Sequence, residues 1–213
     1  MGLPAALEQV IFQIGITAFL ILVAFYGTEA YAAYGIGVQI LSFSFVIGFG
    51  FSIAGATLVG QHLGAKNKNQ AKRAGWGAMR LSIVSMTFFG VIIATFAEPL
   101  ARFMIDNDEV VRLTVIFIWL LGSMQPLMAI EFSLGGALRG AGDTKTPLAI
   151  TLTCLLFIRV FLAVIFFLLD ASIEIIFSTL LADYIVKGFL YVSRFRSDKW
   201  MNVLKIKEVD QQP

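Results

Sequence analysis

The chain has 213 residues, of which 58% are hydrophobic and 14% are charged, whereas an average soluble domain has roughly 25% charged residues. A soluble domain of this length cannot bury so much apolar surface, because its water-facing side must be largely polar. The net charge of +2 is too small for a nucleic-acid-binding surface, which needs clustered basic residues. The composition therefore predicts an all-α, polytopic integral membrane protein that contacts the lipid bilayer and not nucleic acid.

Long stretches with few or no charged residues predict six membrane-spanning helices, since one span needs about 20 apolar residues. We place these spans at about 4–25, 31–58, 76–97, 112–138, 147–169 and 173–192. The second and fourth are longer than the bilayer requires, so they should tilt or bend, and Pro126 marks the expected kink of the fourth. Residues 1–200 are predicted to form one six-helix domain, and residues 201–213 a polar tail.

The distribution of Lys and Arg predicts the orientation of the chain. Thirteen of the 16 basic residues lie in the second and fourth connections, beside them, or in the stretch that begins at Lys187. The first, third and fifth connections hold only Arg102 and Arg112. Because basic residues favour the cytoplasmic side, both termini of this multi-pass protein are predicted to be cytoplasmic, in a plasma or inner membrane.

Ionisable side chains within the spans are candidate functional residues, because each costs on the order of 2.5–3.5 kcal/mol in hydrocarbon. Arg159 in the fifth span and Asp183 in the sixth lie at matching depths, which predicts an ion pair. The pair either holds two helices together or acts as a switch that opens when Asp183 is protonated. A metal site built on His and Cys is not predicted, since the chain has one of each.

Two further acids, Glu8 and Glu131, lie at similar depths in the cytoplasmic half of the first and fourth spans. If they face one cavity, they could share a proton or bind a cation. Glu8 also has a purely structural interpretation, since an acid near a helix N-terminus is favoured by the helix dipole. Neutral polar residues in the spans could line the cavity or bond between helices: Gln9, Gln13, Gln39 and Gln125.

Two connections carry unusual glycine-containing sequences, LVGQHLGA at 58–65 and LRGAGDT at 138–144. By themselves these sequences predict helix ends followed by turns, with glycines in the left-handed conformation. The aspartate of the second sequence is expected to bond nearby backbone amides. The residues that carry the two motifs are Gly60, Gln61, Gly64, Arg139, Gly140, Gly142 and Asp143.

Together, the two motifs resemble those of multidrug and toxic compound extrusion (MATE) transporters, which carry similar loops after the second and fourth helices of a lobe. The opening GLPAALEQ (2–9) and the closing RFRSDKW (194–200) are similar to the start and end of the C-terminal lobe. The resemblance implies one lobe of the two-lobed fold of the MOP superfamily, in which six-helix lobes face each other across a cavity. The second lobe is expected either on the same polypeptide, of which this chain is a fragment, or on another chain.

The resemblance also implies a Na⁺- or H⁺-coupled antiporter that exports amphipathic or cationic organic compounds by alternating access. The coupling ion would be the only cofactor, and no enzyme activity is expected because no span contains a histidine to form a nucleophile–base pair. Acids in the first and fourth helices of this lobe, here Glu8 and Glu131, are implied to take part in coupling, although Gln13 and not an acid stands deeper in the first helix.

Two other functions remain open. One is a lipid-linked sugar flippase of the same superfamily, whose cavity should carry several cations, whereas the sequence suggests only Arg159. The other is a non-transporting, half-length membrane subunit.

Overall fold

A computed structural model describes residues 2–203, and this part of the chain is helical with no β-strand. A π-helical segment, Cys154–Val160, joins α7 to α8, and a short 3₁₀ turn, Lys199–Asn202, follows α9. The helices are α1 (Gly2–Ala24), α2 (Thr28–Gly64), α3 (Lys68–Thr95), α4 (Ala97–Met104), α5 (Asp108–Ser123), α6 (Gln125–Gly140), α7 (Lys145–Thr153), α8 (Phe161–Leu168) and α9 (Ile173–Arg196).

Six apolar segments of the described chain are long enough to cross a membrane. Five are α1, α2, α3, the continuous α7–α8 segment and α9, and the sixth is α5 with α6, bent by 54°. The bend falls at Met124, and Pro126 stands in the first turn of α6, where its missing amide hydrogen costs no helical hydrogen bond. The described chain thus has five helices long enough to span a membrane, and a sixth span if the bent pair counts as one, with its bend near Pro126 as predicted.

The first glycine motif is helical up to Gly64 and the second up to Gly140, so the prediction of turns at Gly60, Gly64 and Gly140 is wrong. Gly60 and Gly64 belong to α2, and the chain turns only afterwards, where Lys66 has a φ of 59°. Gly140 is the last residue of α6, and within the second motif it is Gly142 that adopts the left-handed conformation, with a φ of 82°. The connection between the second and third spans, from α2 to α3, is therefore much shorter than predicted.

The helical glycines allow α2 and α6 to pack against each other at backbone distance. A Cβ atom on Gly136 would overlap the backbone of Ser52, and one on Gly140 would overlap that of Ala56. A Cβ atom on Gly60 would lie 3.2 Å from the carbonyl oxygen of Gly140. Small residues at four-residue spacing commonly bring membrane helices together in this way, so these glycines are needed for contact between helices.

We expect Gly136→Leu to reduce the folded yield sharply, because the backbone of Ser52 already fills the space beside this glycine. Overpacking costs about 1–3 kcal/mol where neighbouring side chains can move aside. A backbone can move less than a side chain, so the cost at Gly136 should be larger. Gly50→Leu is the matched control, since a Cβ atom there meets nothing within 4 Å. The measurement is the monodisperse fraction and thermal unfolding in detergent, and equal losses in the two variants would contradict the proposed close packing.

The C-terminal segment folds back against the basic end of the lobe. Arg194 donates two hydrogen bonds, of 2.9 and 2.7 Å, to one carboxylate oxygen of Asp143. Trp200 is fully buried and stacks on Phe195 with a centroid distance of 4.5 Å. The packed lobe therefore reaches Trp200, while the predicted tail, 201–213, lies almost entirely outside the described residues.

The opposite end of the lobe carries exposed ion pairs. Arg102 contacts Glu98 and Asp108, each at 3.0 Å, and so connects α4 to the start of α5. Arg112 donates two hydrogen bonds to Glu109. Because these pairs are exposed to solvent, they contribute little to stability.

Candidate functional site

A cavity of about 320 Å³ lies among α1, α2, α5, α6, α9 and the α7–α8 segment, within the usual size range of small-molecule sites, about 300–1,000 Å³. Glu8, Glu131, Arg139 and Arg159 contribute charged groups to its lining. Most of the remaining wall is apolar, with eight aromatic side chains: Phe12, Tyr34, Phe45, Phe49, Phe117, Phe132, Tyr184 and Tyr191.

The predicted ion pair between the fifth and sixth spans is present. Nη2 of Arg159 lies 2.7 Å from Oδ2 of Asp183, and the two side chains are 5% and 0% exposed. The guanidinium also lies over the ring of Tyr184, 5.4 Å from its centroid. Arg159 belongs to the π-helical segment Cys154–Val160, a local widening of the helix that is frequent at functional sites.

A second cation, Lys187, lies inside the membrane next to this pair. Its Nζ is 3.3 Å from Oδ2 of Asp183 and 3.4 Å from Oε1 of Glu131, and its side chain is fully buried. Counting Lys187 with the surface cations was therefore wrong, because α9 continues for more than two turns beyond it, to Arg196. Its spacing of four residues from Asp183, which places both on one helix face, is the signal that could have revealed it.

Glu8 forms an ion pair with a different cation, Arg139. Arg139 donates a hydrogen bond of 2.8 Å to Glu8, and the hydroxyl of Thr151 lies 3.4 Å from the same oxygen. The sequence pattern places Arg139 in a loop, but it lies in the last turn of α6, from which its side chain reaches the cavity. Glu8 and Glu131 line the same cavity, yet each contacts a different cation and not the other carboxylate.

The charged groups around the cavity compensate one another. Three acids and three bases are paired in two sets, so their formal charges cancel: Glu8 with Arg139, and Glu131 and Asp183 with Lys187 and Arg159. The contacts of Lys187 and Asp183 are close enough for ion pairs, but their geometry does not meet that of a hydrogen bond. Such a buried network is sensitive to the loss of one member, because an uncompensated charge in a low dielectric is costly.

The four glutamines occupy different environments. Gln9 lines the cavity, whereas Gln13 and Gln39 are exposed on other faces of α1 and α2. Gln125 is fully buried at the start of α6, against Gly90. Of the four, only Gln9 belongs to the lining of this cavity.

Apolar spans around an aromatic cavity with a compensated buried charge network define a helical membrane protein with an internal cavity. Residues 4–165 match the family model described as MatE, and the chain belongs to the MATE family. The expected family and the all-α transporter fold are thereby confirmed. Family membership also places the chain among multi-pass membrane transport proteins and not among enzymes.

Individual relatives cover most of this chain. The probable multidrug resistance protein NorM of Thermotoga maritima is 34% identical over 209 residues, which make up 94% of this chain and 43% of the relative. The protein of the same name from Mannheimia succiniciproducens is 30% identical over 155 residues, or 72% of this chain and 33% of the relative. The chain therefore spans less than half the length of these curated relatives.

Solved structures of transporters have the same fold. A MOP superfamily transporter from Pyrococcus furiosus superposes with a TM-score of 0.81 at 17% identity, covering 89% of this chain and 42% of that one. An outward-facing multidrug resistance transporter of the MATE family superposes with a TM-score of 0.77 at 19% identity, with the same coverage. At these identities the likeness establishes the fold of one lobe and nothing further.

Proposed function

We propose that this chain is the C-terminal lobe of a plasma-membrane exporter of amphipathic or cationic drug-like compounds. The cavity carries the proposal, because eight aromatic side chains and several charged groups surround a volume suited to a small organic molecule. Two relatives named as multidrug resistance proteins support the same function. The lobe works with a second six-helix lobe, on the same polypeptide or on another chain, and the two open alternately to either side of the membrane.

The aromatic lining of the cavity favours a cationic substrate. Glu8 and Glu131 are 14% and 19% exposed, beside Arg139, which is 31% exposed and paired with Glu8, whereas Lys187 is fully buried. A cation that enters between the aromatic rings gains cation–π contacts and then meets these carboxylates before it meets Lys187. A flat aromatic cation can make both the cation–π contacts with the rings and the ionic contacts with the carboxylates.

The coupling ion that best fits the charge network is a proton. Lys187 already places an ammonium between Glu131 and Asp183, the position that a Na⁺ ion would need. A proton on Glu131 removes the attraction between Glu131 and Lys187 and leaves an excess positive charge among the buried groups. Glu131 lies on α6 and Lys187 on α9, so protonation favours a different arrangement of these helices, and a ligand that prefers one arrangement shifts the population of states.

The test is drug accumulation in inside-out membrane vesicles that contain the full open reading frame around this sequence. We expect ethidium to accumulate when the vesicle interior is acidic, because protons leaving the interior would exchange for ethidium entering it. A protonophore should abolish the accumulation, and vesicles without the protein provide the baseline. Accumulation driven only by a Na⁺ gradient would contradict proton coupling, and no accumulation under either gradient would contradict drug export.

A further inference from the structure

A basic groove lies at the N-terminal end of α3 and shares no lining residue with the aromatic cavity. It is open to its surroundings, has a volume of about 1,030 Å³, and includes Arg73, Trp76, Gly77 and Arg80 among its lining residues. This surface has no part in the proposed transport cycle. Its charge and its position along α3 point to a ligand of a different chemical class.

Two cations of the groove have no partner among residues 2–203. A third groove cation, Lys72, contacts Asp198 at 2.7 Å, and the neighbouring Lys68, which lies outside the lining, contacts Asn202 at 2.6 Å. Arg73 and Arg80 are exposed and take part in no hydrogen bond or ion pair within the described part of the chain. Two guanidinium groups are therefore available to bind an anion.

The two arginines lie on the same side of α3. They are seven residues apart, which is two turns or about 10.5 Å along the axis. Gly77 lies between them, and a Cβ atom there would meet nothing within 4 Å, so the space between the arginines is open. Guanidinium groups bind phosphate oxygens through paired hydrogen bonds, and an anion held in this space would have an arginine on either side.

The groove lies at the edge of the membrane. The 28 residues of α3 measure about 42 Å, whereas the hydrocarbon core is about 30 Å thick. Counted back from Thr95, 20 residues reach Trp76, a residue type favoured at the lipid–water boundary. Arg73 then lies outside the core and Arg80 about 6 Å inside it, within reach of the headgroups for a long side chain.

An apolar stripe continues from the groove toward the middle of the membrane. Val84 and Val91, on the same side of α3 as Arg80, are 67% and 59% exposed. A free phosphate would use only the arginines, whereas a phospholipid would use the arginines and the stripe. We propose that this groove binds an anionic phospholipid, with its phosphate between Arg73 and Arg80 and one acyl chain along Val84 and Val91.

The experiment is native mass spectrometry of the purified chain titrated with phosphatidylglycerol or with phosphatidylcholine. We expect Arg73→Gln/Arg80→Gln to raise the Kd for phosphatidylglycerol roughly 30-fold, the equivalent of about 1 kcal/mol for each arginine. The matched control, Arg196→Gln/Lys199→Gln, removes two exposed cations outside the groove and should leave the Kd within twofold. Phosphatidylcholine should bind both variants and the unchanged chain equally weakly.

Two outcomes would overturn the proposal. Equal losses in the groove variant and the control variant would mean that phosphatidylglycerol responds only to total charge. Displacement of the lipid by millimolar inorganic phosphate would mean that the site binds a free anion and makes no use of the apolar stripe. Because every variant changes exposed residues only, retention of the folded mass and of the thermal unfolding temperature is expected throughout.

Discussion

Replacing Asp183 or Arg159 alone with alanine should destabilise the lobe far more than replacing both. The buried set of Glu131, Asp183, Lys187 and Arg159 has no net formal charge. Asp183→Ala leaves one excess positive charge and Arg159→Ala one excess negative charge, each at a cost of about 3–5 kcal/mol in a buried site. The double variant keeps Glu131 with Lys187 and is neutral again, so it should recover a large part of the loss.

Thermal unfolding in detergent, followed by tryptophan fluorescence, measures this effect. The exposed pair of Arg102 and Asp108 provides the control, since its single and double variants should all unfold near the temperature of the unchanged chain. A double variant at Arg159 and Asp183 that is no more stable than either single variant would show that the two charges do not compensate each other.

Glu131→Gln should abolish the response of transport to a pH gradient, with a smaller loss of stability than Asp183→Ala because Glu131 is 19% exposed on the cavity wall whereas Asp183 is fully buried. Glutamine keeps the shape of the side chain but can neither bind the coupling proton nor carry the charge that attracts Lys187. Loss of a coupling free energy of about 1–3 kcal/mol corresponds to a fall in proton-driven ethidium accumulation of roughly 5- to 150-fold. Binding of ethidium to the purified protein should weaken less than its proton-driven transport.

Vesicles with an acidic interior, prepared as for the export assay, provide the measurement. Glu98→Gln is the matched control, because Glu98 is an exposed acid in the first turn of α4 and does not line the cavity. Unchanged proton-driven accumulation in Glu131→Gln would exclude Glu131 from coupling. Equal losses in Glu131→Gln and Glu98→Gln would point to a general effect on the protein.

The spans could be predicted from the sequence because the bilayer imposes a length and an apolar composition on each of them. The ends of the helices could not be predicted, because hydropathy detects only the apolar part of a helix. Helix α2 continues beyond its apolar part to Gly64, and α9 continues to Arg196. The glycine motifs were misplaced for a related reason. Glycine suits both a turn and a close helix contact, and only the tertiary structure shows Gly140 against Ala56.

Of the site, the pair of Arg159 and Asp183 was predictable because both residues interrupt apolar runs at the same depth. Lys187 was not, because its nearness to the basic C-terminal stretch suggested a surface position. Which acid meets which cation depends on the rotation of each helix, and this rotation placed Glu8 beside Arg139 and Glu131 beside Lys187. The same rotation turned Gln13 and Gln39 away from the cavity.

Helix α9 runs without a break from Ile173 to Arg196. Asp183 lies near its middle, and Arg194, which holds the turn at Asp143, lies about 16 Å further along its axis. A helix of this length behaves as a stiff rod, so a displacement of its buried charges moves the surface turn by a comparable amount. Under the proposed proton coupling, a shift of α9 that follows protonation of Glu131 would therefore also move the turn between α6 and α7.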